Sequence, residues 1–193
     1  MTHGGWLLLP AVALCILMTT TGAAAAEPPA VVTVRESGGV YTVTAQLFAK
    51  QDPSAALAVL TDYENIPRFL PDVRVSVVRQ RGNGHAIVEQ EAVSSLLMLS
   101  KRVHLVLDIE EREDALVFRD VCGRSFERYE GAWHLSPQDG HTVVTYELTA
   151  KPSFDAPGFM IARLLRRDST RMIDSLWREI VARSGSPAGP TLP

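Results

Sequence analysis

The chain has 193 residues, 46% of them hydrophobic, and a formal net charge of −3. That is the length of one ordinary domain, with enough apolar side chains for a sizeable core. The mild acidity gives no general electrostatic reason to bind nucleic acid, which is excluded as an expected partner.

Residues 1–26 read as a signal peptide. The run 6–18 is apolar without periodicity, and Ala23 to Ala26 precede Glu27, Pro28 and Pro29. A short apolar stretch closed by small residues is a secretory signal with an A-x-A site, here cleaved after Ala26. The run is shorter than the roughly 20 residues that span a bilayer. The start carries His3 but no Lys or Arg, so an uncleaved N-terminal anchor is the alternative. Leu14 precedes Cys15 where a lipoprotein signal wants a small residue, and the apolar run continues past it. The expected location is periplasmic or secreted. Cleavage leaves Cys122 as the single thiol, so core packing and not an internal disulfide must hold the fold.

Strands are expected at 31–34 and 40–48, around Ser37-Gly38-Gly39. Asp52-Pro53-Ser54 then starts a helix, since Asp can cap and Pro suits the first turn. That helix covers 55–62, and a second short one, 64–70, is bounded by Pro71. Alternating strands follow at 73–77, 86–93, 102–109, 116–121, 129–135 and 142–148, with Gly82-Asn83-Gly84 as a hairpin turn. Period-2 patterning with one polar side means an antiparallel sheet, wet on one face and covered on the other.

A long helix at 158–183 provides the cover. Ile161, Leu165, Met172 and Leu176 form one stripe, and Arg163, Arg166, Arg167 and Arg171 the opposite one. The arginines read as a solvated face or as attraction to anionic lipid headgroups. The Pro/Gly/Ser-rich tail 184–193 is expected to be disordered. The chain is thus α+β: a strand, two short helices, a run of antiparallel strands and one amphipathic helix.

Three segments in this order, AALAVLTDYENIPRFLPDV (55–73), YEGAWHL (129–135) and LRRDSTRMIDSLWREI (165–180), resemble the START-like (SRPBCC) superfamily. The nearest branch is the polyketide cyclase/dehydrase and coenzyme Q-binding group. The resemblance covers roughly residues 40–183, and the order of elements carries it. It implies a helix-grip fold, in which a curved antiparallel sheet wraps around the C-terminal helix and an apolar cavity lies between them. Members bind lipids, quinones, polyketides or plant hormones, and a minority are enzymes.

On that layout, alternation supplies Val73, Val75, Val88, Leu105, Leu107, Trp133, Val144 and Tyr146 as cavity residues of the sheet. Ile161, Leu165 and Met172 are the cavity residues of the helix. Each also reads as ordinary core. Residues 116–121 cannot be phased, since Val117 and Phe118 fit opposite faces equally well. Trp133 and Tyr146 each offer one polar group in an apolar wall, as ligand pockets often do.

The hairpin connection 96–99, LLML, is apolar where turns are usually polar. It reads as packing against the domain, as a lid, or as a transient membrane contact. Phe69, Leu97, Met98 and Phe159 are expected near a common cavity rim.

No His pair has metal-ligand spacing, and neither a phosphate-binding loop nor a nucleophile elbow is present. No metal, cofactor or catalytic residue is assigned. Asp168 and Glu179 lie at the edge of the apolar stripe, where a carboxyl either serves as an acid or reaches solvent. Three functions stay open: an exported carrier of an apolar small molecule (lipid, quinone or polyketide-like), a cyclase/dehydratase using the same cavity, and an interaction module with a filled core.

Overall fold

A computed structural model describes residues 31–96 and 99–185, and their side chains except at 95–100 and 185. The expected signal peptide and cleavage site, most of the expected tail, and Leu97 and Met98 lie outside the described residues.

Eight strands form one antiparallel sheet: β1 (Val31–Ser37), β2 (Val40–Ala49), β3 (Val73–Gly82), β4 (His85–Leu96), β5 (Leu99–Glu111), β6 (Ala115–Asp120), β7 (Phe126–Gln138) and β8 (His141–Pro152). Their spatial order is β1-β2-β8-β7-β6-β5-β4-β3. Between β2 and β3 the chain crosses from one side of the sheet to the other through α1 (Pro53–Leu60), a 3-10 turn (Tyr63–Asn65) and α2 (Ile66–Phe69). The final helix, α3 (Gly158–Gly185), is the grip of a helix-grip fold. Ser184 and Gly185, assigned to the tail by composition, are its last residues.

Local chemistry sets the hairpins. Asn83 and Gly84 both have positive φ (54° and 72°), and Gly82 pairs with His85 across them. Asp139 and Gly140 repeat the arrangement between Gln138 and His141. Two-residue turns with both φ positive match the right-handed twist of the flanking strands, and Asn, Asp and Gly reach that conformation at least cost.

The alternation in β2 is strict: Tyr41, Val43, Ala45, Leu47 and Ala49 are buried while Thr42, Thr44 and Gln46 face water. Antiparallel sheets covered on one face require this pattern. In α3 the cover divides into two parts. Ile173, Leu176 and Ile180, in its C-terminal half, are almost fully buried. Burying each contributes roughly 1.5–3 kcal/mol. Leu165 and Met172 are only half-buried, and with Ile161 they face something other than packed side chains.

Three bulges break the pleat. Val73 pairs with Ala92 but Val75 with Glu91, so Arg74 is an extra residue. Arg79 is a second, between Val78 and Gln80, and Glu127 a third, between Phe126 and Arg128. An extra residue reverses which face the following side chains occupy. Val75, expected inside, is therefore 41% exposed, and Ser76 and Val78 turn inward instead.

Candidate ligand cavity

A cavity of about 270 Å³ lies between the sheet and α3. It is close to the lower end of small-molecule pockets, which run from roughly 300 to 1,000 Å³. It far exceeds the roughly 10–15 Å³ that admits a water molecule.

Its floor is aromatic and sits on the central strands. The Trp133 and Tyr146 rings, neighbours across β7 and β8, have centroids 4.4 Å apart. Phe118 on β6 lies 6.3 Å from Tyr146 and 6.0 Å from Tyr129. Phe126 lies 4.8 Å from Tyr129. Phe126 and Tyr129 are three residues apart, which normally puts side chains on opposite faces; the bulge at Glu127 brings both inward. Leu105 and Leu107 extend the floor along β5, and Ile161, Leu164, Leu165 and Met172 form the roof. Tyr63, Ile66, Phe69 and Leu70 close the side formed by the short helices.

Polar groups are few. The Tyr63 hydroxyl donates to Glu111 Oε1 at 2.9 Å. Burial first, and the Glu111 hydrogen bond next, push the Tyr63 phenol well above its ordinary pKa, against the opposing charge of Arg81. Burial also raises the Tyr146 phenol strongly and the Tyr129 phenol less, and a side-chain hydrogen bond joins the two. All three stay protonated across the physiological range, so each is a neutral donor.

The polar rim is on the side of α3. Arg171 lies 3.4 Å from Asp72, just ahead of β3. Asp168 accepts from Arg167 Nη2 at 2.7 Å and from the Ser94 hydroxyl on β4. Lys101 places its ammonium 4.4 Å from the Phe154 ring centroid.

Among the residues singled out in the sequence, Val73, Leu105, Leu107, Trp133, Tyr146 and Phe69 border the cavity from the sheet and the short helices. Ile161, Leu165 and Met172 border it from α3. Val88 and Val144 point inward but are sealed in the core, Val88 beside Val78 and Leu107, Val144 beside Leu47 and Leu135. Val75 is outside, turned by the bulge at Arg74.

Phe159 is 75% exposed and is no part of the wall. It precedes the buried Ile161 by two residues, which on a helix is about 200° of rotation. Nor does it share a rim with Phe69. The Phe69 ring packs under Arg183, 5.6 Å from its guanidinium, about 36 Å further along the helix at 1.5 Å per residue.

Tyr63, Ile66, Phe118, Tyr129 and Leu164 border the cavity without having been singled out. Tyr129 shares the parity of Trp133, a signal present in the sequence. Tyr63 sits in a 3-10 turn, where no period marks a face.

Of the acids, Asp168 borders the cavity, whereas Glu179 pairs with Arg183 at 2.8 Å on the helix flank. His104 lies 3.6 Å from Glu89 on the polar face, and His85 pairs with Asp108. Among the described residues, no three His, Cys, Asp or Glu side chains converge as metal ligands.

Residues 50–176 match the family model described as polyketide cyclase / dehydrase and lipid transport. The chain belongs to this family. No curated protein sequence is significantly similar to it. Among solved structures it is similar to TTHA0849 from Thermus thermophilus, at 21% identity and TM-score 0.66, over 75% of this chain and 99% of that one. It is similar to a STAR-related lipid transfer protein fragment from Xanthomonas axonopodis, at 17% identity and TM-score 0.67, over 82% and 97% of the two chains. The Zhui aromatase/cyclase from a Streptomyces species aligns at 14% identity and TM-score 0.64, over 78% and 99%. At these identities the likeness is one of fold.

Proposed function

We propose that this chain is an exported carrier of an apolar small molecule, a lipid, quinone or polyketide-like compound, held between the sheet and α3. One observation carries the reading: a largely apolar cavity of about 270 Å³ under α3, where a filled core would have favoured an interaction module. Burial supplies affinity there at roughly 25 cal/mol per Å² of apolar surface removed from water. Export rests on the sequence of residues 1–26. The exposed Phe159, with the exposed Arg163 and Arg166 nearby on α3, suits brief contact with an anionic membrane during loading. Among the described residues no helix is long and apolar enough to cross a membrane.

The cyclase/dehydratase alternative needs a free acid or base in the cavity. The Asp168 carboxylate is engaged by Ser94 and Arg167 at the rim, which favours the carrier.

The test is uptake of a fluorescent fatty acid by delipidated protein. Leu105→Arg, which places a charge on the floor, and Leu107→Trp, which fills it, should each abolish uptake while circular dichroism stays that of the parent. Undiminished uptake by both folded variants would remove this cavity from consideration.

A further inference from the structure

The sheet has two edges, and they are built differently. β3, at one end, carries the bulges at Arg74 and Arg79 and a further arginine, Arg81, and the short helices pack beside it. Bulges, charge and a covering element are the usual defences of an open edge. β1, at the other end, is regular throughout: each of its 7 residues pairs with β2 in unbroken register. Val31, Val32, Thr33 and Val34 open it, residue types that favour strands.

The hairpin fixes which backbone groups of β1 face away from β2. Gly38 and Gly39 (φ 59° and 77°) make a two-residue turn closed by Ser37 and Val40. The closing pair of such a turn is hydrogen-bonded, and hydrogen-bonded and non-hydrogen-bonded pairs then alternate along the ladder. Ser37, Arg35, Thr33 and Val31 therefore aim their N–H and C=O groups at β2. Val32, Val34 and Glu36 aim theirs outward. Among the described residues β1 has β2 as its single strand neighbour, and no hydrogen bond reaches the outward groups of Val32 and Val34.

The side chains select the partner. Val32 and Val34 pack on the core, opposite the buried Ala45 and Val43, while Val31 and Thr33 lie on the outer face. A second β1, laid antiparallel about a two-fold axis at Thr33, sets Val32 against Val34 of the other copy on the inner face. On the outer face it sets Thr33 against Thr33. Such β-branched and Thr–Thr cross-strand pairs are favourable. An axis at Val34 would instead press the Glu36 carboxylate against Val32. The chain's own ends suit the edge poorly. Pro28 and Pro29 precede β1, and Pro187, Pro190 and Pro193 follow α3. Proline has no N–H to give a ladder.

We propose that β1 is a homodimer interface, pairing antiparallel with β1 of a second copy about an axis at Thr33 and joining the two eight-stranded sheets into one. The arrangement is isologous, so it closes at two copies. It stands apart from the carrier reading, because no residue of β1 borders the cavity.

The experiment uses the full chain. In analytical ultracentrifugation the parent should pass from monomer to dimer as its concentration rises through the micromolar range, as a short ladder implies. Val34→Pro removes the outward N–H and leaves the ladder to β2 intact, since proline is tolerated on an edge strand whose N–H faces solvent. It should stay monomeric throughout, with the circular dichroism of the parent. Cysteines are then added to a Cys122→Ser background. Thr33→Cys puts two thiols at a non-hydrogen-bonded pair, with Cα atoms about 4.5 Å apart, within the span of a disulfide. Mild oxidation should cross-link it at least about tenfold faster than Ser37→Cys, which the same axis holds far from its copy.

A parent that is monomeric at every concentration overturns the proposal. So do equal cross-linking rates at the two positions, and a dimer that survives in folded Val34→Pro. If Val34→Pro fails to fold, the comparison of Thr33→Cys with Ser37→Cys decides alone.

Discussion

The Ser94 hydroxyl on β4 donates to the Asp168 carboxylate on α3, a tie between sheet and helix at the cavity rim. Arg167 holds the same carboxylate at 2.7 Å, so the acceptor is fixed in place before Ser94 meets it. A ligand passing between β4 and α3 has to break this contact. A hydrogen bond to a charged group contributes about 1.5–3 kcal/mol, less where both partners are half wet as here. Asp168→Ala should therefore lower global stability by only about 1 kcal/mol. It should speed dissociation of a bound fluorescent fatty acid by up to about tenfold, since about 1.4 kcal/mol off a barrier is tenfold in rate. Stopped-flow displacement measures this, with Glu179→Ala, on the same helix but outside the rim, as the variant that leaves the rate unchanged. Equal rates in all three proteins would mean that ligands pass elsewhere.

A second tie holds the far end of α3. Arg183 lies 2.8 Å from Asp62, which also accepts from Asn65 at 2.8 Å. Burial works to raise the Asp62 pKa, but the hydrogen bonds from Asn65 and Arg183 and the charges of Arg183 and Arg68 outweigh it, and the net shift is downward. A carboxyl with a depressed folded-state pKa adds stability that is complete above its unfolded value, near 4, and is lost as pH falls through the folded value. Asp62→Asn should thus be less stable than the parent by about 0.5–1 kcal/mol at pH 7, the size of a partly exposed ion pair. The gap should close as the pH falls below the folded-state value. Urea titrations at a series of pH values give the curve; a gap that stays constant into acid assigns the effect to something other than ionisation.

The sequence displays its strands wherever the pleat is regular. Trp133 and Leu135, or Val144, Tyr146 and Leu148, carry their orientation in plain alternation, and all are buried. What it hides is the bulge. Nothing in VRVSVV says that Arg74 is an extra residue, yet that one insertion sends Val75 to water and brings Ser76 inward. In the same way Phe126 joins the floor only because Glu127 is extra. The helix poses a different difficulty. Ile161, Leu165, Met172 and Leu176 are apolar toward a void, whereas Ile173 and Ile180 are apolar toward packed neighbours. Periodicity scores both sets alike, because water is excluded from each. Cavity and core part company only when the facing wall is known.

Gly131 tests how tightly that wall is built. It lies on β7 between Tyr129 and Trp133, opposite Phe118 on β6 and Leu148 on β8. A Cβ there would stand 2.1 Å from the Glu147 carbonyl oxygen and 2.8 Å from Phe118 Cζ. The ring could swing aside, but the carbonyl is part of a central strand and cannot. Gly131→Ala should destabilise the fold by about 3 kcal/mol or more, beyond ordinary overpacking. Adding Phe118→Ala should not restore it, because the backbone clash remains. Thermal and urea unfolding of the single and double variants decide this; recovery in the double variant would place the strain on the ring.

The bulge at Arg74 makes its own prediction, one that simple alternation would reverse. Val75 is 41% exposed and pairs with Glu91 on the outer face, whereas Val78 packs against the core beside Val88. Strict period-2 reading from Val73 puts Val75 and Val77 inside and Val78 outside. With the extra residue counted, Val75→Lys should change stability by no more than about 0.5 kcal/mol, as surface substitutions do. It should leave fatty acid uptake untouched. Val78→Lys drives an ammonium toward the core and should cost several kcal/mol, of order 3, because an ion there loses its water without gaining a partner. The two variants differ by three positions on one strand and carry the same substitution, so charge and propensity cancel between them. If Val75→Lys proves the damaging one, β3 runs without the bulge at Arg74, Ser76 belongs outside, and the side of the cavity next to Val73 has to be rebuilt around Val75.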